Sequence, residues 1–223
     1  MKYLVFDAGP LISLTMNGLL QVIENLKKNF LGEFIITSSV KYEVVDRPIK
    51  VKRYKLEAIK IQDLIDKKVL KIAENLIPED KLRRETQKIL RNSDSVISYH
   101  SDGKKIKILQ EGEASCLAFC NLIGADSMIV IDERTTRFLI EKPEKLEELM
   151  EKKLHTNLDF NSSISFRNYK IIRSAELLYI AYKKDLTGLA KNKDSLDAML
   201  YGVKFKGTAI SVKEIEAIKQ MSY

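Results

Sequence analysis

An alternation constrains this chain most: short apolar runs end in turn residues, and each is followed by apolar residues at helical spacing. Residues 2–6 read KYLVF, the kind of run that fills a strand buried on both faces. The run stops at Asp7-Ala8-Gly9-Pro10, where glycine permits a turn and proline suits the start of a helix. Leu11, Ile12, Leu14, Leu19 and Leu20 then recur with helical period. A second run, 34–37, meets Ser38-Ser39, which cap a helix running from Val40 to before Pro48. A helix over 112–124, closed by Gly124, precedes a strand over 128–131, and another helix begins near Glu133. A strand over 169–172 and helices near 174–184, 194–203 and 211–221 complete the order. This rhythm predicts an α/β fold with a doubly wound central parallel sheet flanked by helices.

Residues 48–107 interrupt the rhythm with two helical patterns, 51–67 and 79–91, and a loop over 92–105. The 223 residues read as one domain carrying this segment as a helical insertion. Charge separates it from the rest. The chain has 38 basic and 31 acidic residues, a net +7, and residues 47–107 alone hold 17 basic and 9 acidic ones. The excess is therefore gathered in the insertion, which points to a polyanionic partner there. Charged residues at 31% beside 45% hydrophobic ones, with only 9 Gly and 4 Pro, exclude a disordered or collagen-like chain. No apolar run approaches the roughly 18–20 residues that cross a bilayer, and the first residues lack a secretory pattern. Cys116 and Cys120 lie four apart on one predicted helix, with no further Cys and no placed His to complete a zinc site. They read as buried small hydrophobes, and a reducing cytoplasm is the expected location.

Acids stand where an α/β sheet places chemistry, beyond the carboxyl ends of its strands. Asp7 ends the first strand, and Asp132, followed by Glu133, ends the strand over 128–131. Glu43 lies about one turn into the helix after the second strand, and Glu113 opens the helix over 112–124. These four come from remote segments and are expected to converge on one crevice, with Glu111 and Glu133 as near neighbours. Converging carboxylates repel, and a hard cation such as Mg²⁺ or Mn²⁺ relieves that repulsion. Such a cation activates water and stabilises charge on a phosphodiester, so metal-dependent phosphodiester hydrolysis is the expected chemistry. Asp7 and Asp132 are expected as principal ligands, with Glu43 and Glu113 binding directly or orienting water. Individually, each acid has a plainer reading: Asp7 as a helix cap, Glu43 as a solvated helix acid, Glu113 as a favourable charge at a helix start.

The segments VFDAGPLISL, SSVKYEV, EGEASCLAFC and IVIDERTTRFL resemble the four acidic blocks of PIN-domain nucleases, in order. The resemblance covers about 1–47 and 108–183; the insertion has no counterpart in the minimal fold. It departs in the last block, where Glu133 follows Asp132 and many relatives have a second Asp. The resemblance implies a Mg²⁺- or Mn²⁺-dependent endonuclease of single-stranded RNA that leaves a 5′ phosphate and a 3′ hydroxyl. It places Asp7, Glu43, Glu113 and Asp132 at the catalytic centre, with Ser13 as polar neighbour of the first acid. PIN-like proteins often dimerise, and the apolar C-terminal helices allow a homodimer. A toxin role with an antitoxin partner fits less well, because such toxins are close to the minimal domain.

RNA, single-stranded or structured, is the expected partner. Its contacts are assigned to Lys52, Arg53, Lys81, Arg83 and Arg84 in the insertion and to Arg134 and Arg137 after Asp132. Tyr54 and Tyr99 are candidates for stacking on unpaired bases, and His100 for titration near neutrality. The main alternative is an RNA-binding or regulatory module whose acids do no catalysis. Other acidic α/β families fit poorly. Asp-x-Asp phosphatases need an acid where Gly9 stands, and the dinucleotide fingerprint needs more than that lone glycine.

Overall fold

The computed structural model describes residues 2–124 and 126–221. In chain order its strands are β1 (Lys2–Phe6), β2 (Gly32–Ile36), β3 (Leu70–Ile72), β4 (Ile97–Tyr99), β5 (Ser127–Val130), β6 (Leu158–Phe160) and β7 (Ile171–Ile172). The α-helices are α1 (Ala8–Met16), α2 (Leu20–Asn29), α3 (Ser38–Lys41), α4 (Lys55–Asp66), α5 (Glu79–Asp94) and α6 (Glu111–Ile123). They continue as α7 (Arg134–Glu141), α8 (Glu144–Leu154), α9 (Ser174–Lys183), α10 (Lys193–Phe205) and α11 (Val212–Gln220). Five strands form one parallel sheet in the order β3-β2-β1-β5-β7, flanked by helices as the α/β rhythm predicts. β4 and β6 pair separately as a short antiparallel ribbon.

From β1 the chain winds through β2 to β3 on one side. It then crosses back to β5 and β7 on the other, so strand order reverses between β1 and β5. In open α/β sheets, ligands bind beyond the strand ends at this kind of reversal. The register puts Phe6 opposite Val130, and the Asp7 amide donates to the Val130 carbonyl at 3.0 Å. The backbone thus delivers Asp7 and Asp132 to the same sheet edge. Val5, Phe6, Ile35, Ile36 and Val130 are fully shielded, which explains why these strands are continuous apolar runs and not alternating ones.

The helix expected directly after β1 is two helices. Gly18 turns the chain at φ +71°, a conformation glycine adopts without steric cost, and α2 starts beyond it. α3 is only four residues long and widens into a π-helical turn over Tyr42–Asp46, which carries Glu43 in its first turn. Widened turns of this type favour functional sites.

The segment 48–107 is more than helical. It supplies β3, the edge of the central sheet, whose central Lys71 bonds Glu33 on β2 at 2.8 Å. A charged side chain of this kind protects an edge strand from further pairing. Ile61 and Leu64 on α4, Leu70 on β3, and Leu82 and Ile89 on α5 belong to the hydrophobic cluster that contains β1 and β5. α4 packs against α1 and β3, and α5 runs along α6. The segment is therefore built into the core, with its basic residues on the outer surface. Among the described residues, no helix is long and apolar enough to cross a membrane.

Candidate active site

Asp7, Glu43, Glu113 and Asp132, joined by Glu133, line one cavity of about 360 Å³ at the strand reversal. Each acid is positioned by a different local device. Asp7 caps α1, its Oδ2 accepting from the Gly9 amide at 3.4 Å. Glu113 is the third residue of α6, and its Oε2 accepts from the Gln110 amide at 2.7 Å, half of a capping box. Its Oε1 accepts from the Thr136 hydroxyl at 2.6 Å. Glu133 caps α7 by accepting from the Thr136 amide at 2.7 Å. The cap readings thus hold for Asp7 and Glu113, and the same two side chains also line the cavity.

Asp132 is the most heavily bonded. Its Oδ1 accepts from the Ser174 amide at 2.9 Å, and its Oδ2 from the Ser174 and Thr208 hydroxyls, each at 2.8 Å. Ser13 also donates to Oδ2, at 3.4 Å. Ser13, expected beside Asp7, therefore serves the last acid instead; its position in α1 turns it across the crevice. Ser174 opens α9 just after β7, so it obeys the same strand-end rule as the acids. Thr208 lies in the loop after α10, where the sequence carries no signal for it.

Glu43 approaches differently. Its carboxylate lies against Gly112, where a Cβ would come within 2.8 Å of Oε1. Glycine at that position is what lets the π-helical turn and α6 bring their acids together. The same absent Cβ would lie 3.6 Å from Asp7 Oδ1.

The electrostatics follow from this crowding. Burial, and then the charge of Glu113, push the Asp7 carboxyl up to about 7. Burial raises Glu113, against the opposing donors Gln110 and Thr136, and raises Asp132 against Ser174 and Thr208. Burial and the nearby Glu111 raise Glu43, while the Gly112 amide and Arg47 oppose them. Every member of the quartet thus resists ionisation. Lys206, for which the sequence carries no signal, lines the same cavity and is exposed there.

A carboxylate offers about four lone-pair sites. Asp132 Oδ2 is saturated, whereas Asp132 Oδ1 and both Glu113 oxygens each carry one donor. Asp7 is met by the Ala8 and Gly9 amides, the latter at 3.4 Å, and Glu43 by the Gly112 amide. Spare acceptor capacity therefore remains at Asp7 and Glu43. Among the described residues, no group of three or more His, Cys, Asp or Glu side chains is arranged to hold a metal ion.

The basic residues divide. Arg53 lines a second cavity that adjoins the acidic one. Lys52 is exposed beside it, and Arg134 is exposed at the start of α7. Lys81, Arg83 and Arg84 are exposed on α5 and do not line the acidic cavity; Arg83 pairs with Asp80 at 2.9 Å and lines a separate cavity with Glu111 of α6. Arg137 is mostly shielded and donates to the Ala209 carbonyl at 2.9 Å. That bond holds the loop before α11 against the sheet edge, and Arg137 also pairs with Glu141 on its own helix at 3.6 Å. Tyr99 packs against the core, and His100 pairs on the surface with Asp159, which raises its pKa. Cys116 is buried and Cys120 half-buried, neither in a disulfide.

The chain matches no protein-family model, no curated protein and no solved structure, so the likeness to PIN-domain nucleases rests on its four acidic segments and the sheet that carries them.

Proposed function

We propose that this protein is a metal-dependent endoribonuclease acting on single-stranded RNA. One observation carries the reading: four carboxylates from segments remote in sequence line a single cavity at the reversal point of a parallel sheet. Folding buries these carboxyls at a cost that each raised pKa records, burial first and neighbouring acids second. The donor set is all oxygen, which suits Mg²⁺ or Mn²⁺. Mg²⁺ keeps several waters and is commonly held by one or two carboxylates with substrate phosphates, so a preformed cage of three protein ligands is not required. Asp7 and Glu43 have the spare capacity to bind directly, with the remaining lone pairs of Asp132 and Glu113 beside them. When bound, the cation lowers the pKa of water and offsets charge on the phosphodiester. Lys206 offers a phosphate a positive charge in a cavity that otherwise repels it.

Cleavage of a labelled single-stranded RNA in Mn²⁺ or Mg²⁺, and none in chelator, is the expected result. Asp7→Asn and Glu43→Gln should each abolish it while the circular dichroism spectrum is preserved. Cleavage unchanged in both variants refutes the assignment.

A second reading, an RNA-binding module without catalysis, is favoured by the donors that already occupy Asp132 and Glu113 and by the lack of a three-ligand group among the described residues. RNA binding that is indifferent to divalent cations, without cleavage, would select it.

A further inference from the structure

Beside the acidic cavity lies a larger one, about 480 Å³, between α1, the π-helical turn and α4. The two share Ile12 and Glu43 in their walls, so they adjoin. Their charged groups differ. The first is lined by acids and one lysine; the second has Glu43 and Glu57 in a mainly apolar wall, with Met16, Val51 and Tyr54 exposed. It also carries Arg47 and Arg53, and the Arg53 guanidinium rests over the Tyr54 ring at 5.4 Å from its centre. A monomeric surface seldom leaves several large apolar side chains exposed in one concavity without a ligand to cover them.

We propose that this groove binds an unpaired nucleotide of the RNA next to the bond being cut, its base on Tyr54 and its phosphate facing Arg47 and Arg53. Three features favour a single RNA strand over an apolar peptide. An aromatic ring and a guanidinium share one wall, the pairing that accepts a base and its adjoining phosphate together. The cations stand next to a cavity whose carboxylates repel phosphate, so they are placed where attraction is needed. Glu57, also in the wall, has a buried Oε2 without a hydrogen-bond partner, and a base supplies N–H donors that an apolar side chain lacks. The groove explains a role for part of the basic segment: α4 and the turn before it supply this wall, while α5 does not.

The inference rests on the nuclease reading for its direction, but its test does not need cleavage. Binding of a fluorescein-labelled 12-nucleotide RNA of mixed sequence to the full chain is followed by anisotropy in EDTA. Tyr54→Ala should weaken binding about 5- to 150-fold, the range for removal of one base–aromatic stack, and Tyr54→Phe should restore most of it. Arg47→Gln with Arg53→Gln should lower the slope of log Kd against log salt by about 0.7, the share of the one phosphate that is no longer neutralised. Unchanged binding and slope in these folded variants overturn the proposal. A change in sedimentation with RNA affinity unaltered also overturns it, assigning the groove to a second copy of the chain. If RNA binds through Tyr54 but no metal supports cleavage, the groove stands and the nuclease reading falls. If cleavage requires Asp7 and binding ignores Tyr54, the nuclease reading stands and the groove falls.

Discussion

Replacing Asp7 by asparagine removes a charge that the fold holds at a thermodynamic disadvantage. Burial and Glu113 raise this carboxyl from 3.8 to about 7. The native state therefore binds the proton more tightly than the unfolded chain does. The associated stability is fully present below the unfolded pKa near 4 and is lost as pH rises toward 7. At about 1.4 kcal/mol per pKa unit, the loss in metal-free protein is about 1.6 kcal/mol near pH 5 and about 4 kcal/mol near pH 8. Asparagine caps a helix about as well as aspartate, so the Gly9 contact survives without the charge. Asp7→Asn should consequently be the more stable protein by about 4 kcal/mol near pH 8 and by less than half of that near pH 5, while RNA cleavage is lost. Urea denaturation of both proteins in EDTA at the two pH values measures the gap. Equal stability near pH 8, or a gap that fails to narrow toward pH 5, refutes the reasoning. Stability gained where activity is lost is the expected trade for acids gathered against their own repulsion.

Thr208→Val removes a donor from buried Asp132 and should cost about 1–3 kcal/mol in urea denaturation. Because that donor lowers the Asp132 pKa, the loss should be larger near pH 8 than near pH 5. Gly112→Ala places a methyl group against the Glu43 carboxylate. Cleavage should fall sharply with thermal stability unchanged or raised by up to about 1 kcal/mol, since alanine favours a helix over glycine. Lys206→Gln should lower kcat/KM for RNA by about tenfold or more, the worth of one charge-assisted contact, without moving the melting temperature.

The parts of the molecule legible in sequence are those where local and global preferences agree. KYLVF must be shielded on both sides, and so becomes a central strand; the Asp-Ala-Gly-Pro that follows must turn, and so becomes a capped helix start. Glu113 and Gly124 mark the ends of α6 through a capping box and a left-handed C-cap, both local signals. β3 escaped notice because three residues, one of them Lys71, are too few to establish a period, and only pairing with β2 makes them a strand. The break at Gly18 and the π-helical turn at Tyr42–Asp46 were similarly hidden, since their flanking residues keep helical spacing.

What the sequence alone determined is the alternation of the main-sheet strands β1, β2, β5 and β7 with helices, the strand-end acids Asp7 and Asp132, and the gathering of positive charge in one segment. These follow from apolar periodicity, turn chemistry and counting, none of which needs to know what lies nearby in space. Only the tertiary structure decided how the side chains are used. Ser13, Ser174 and Thr208 meet on Asp132 from positions 119, 42 and 76 residues away. Arg137 turns inward to hold a loop, and Gly112 makes room for Glu43. The basic segment splits into a groove wall beside the acids and a helix, α5, that lines neither cavity. Contacts between distant segments depend on how the sheet is wound, and winding is set by packing of the whole core, which no local pattern encodes.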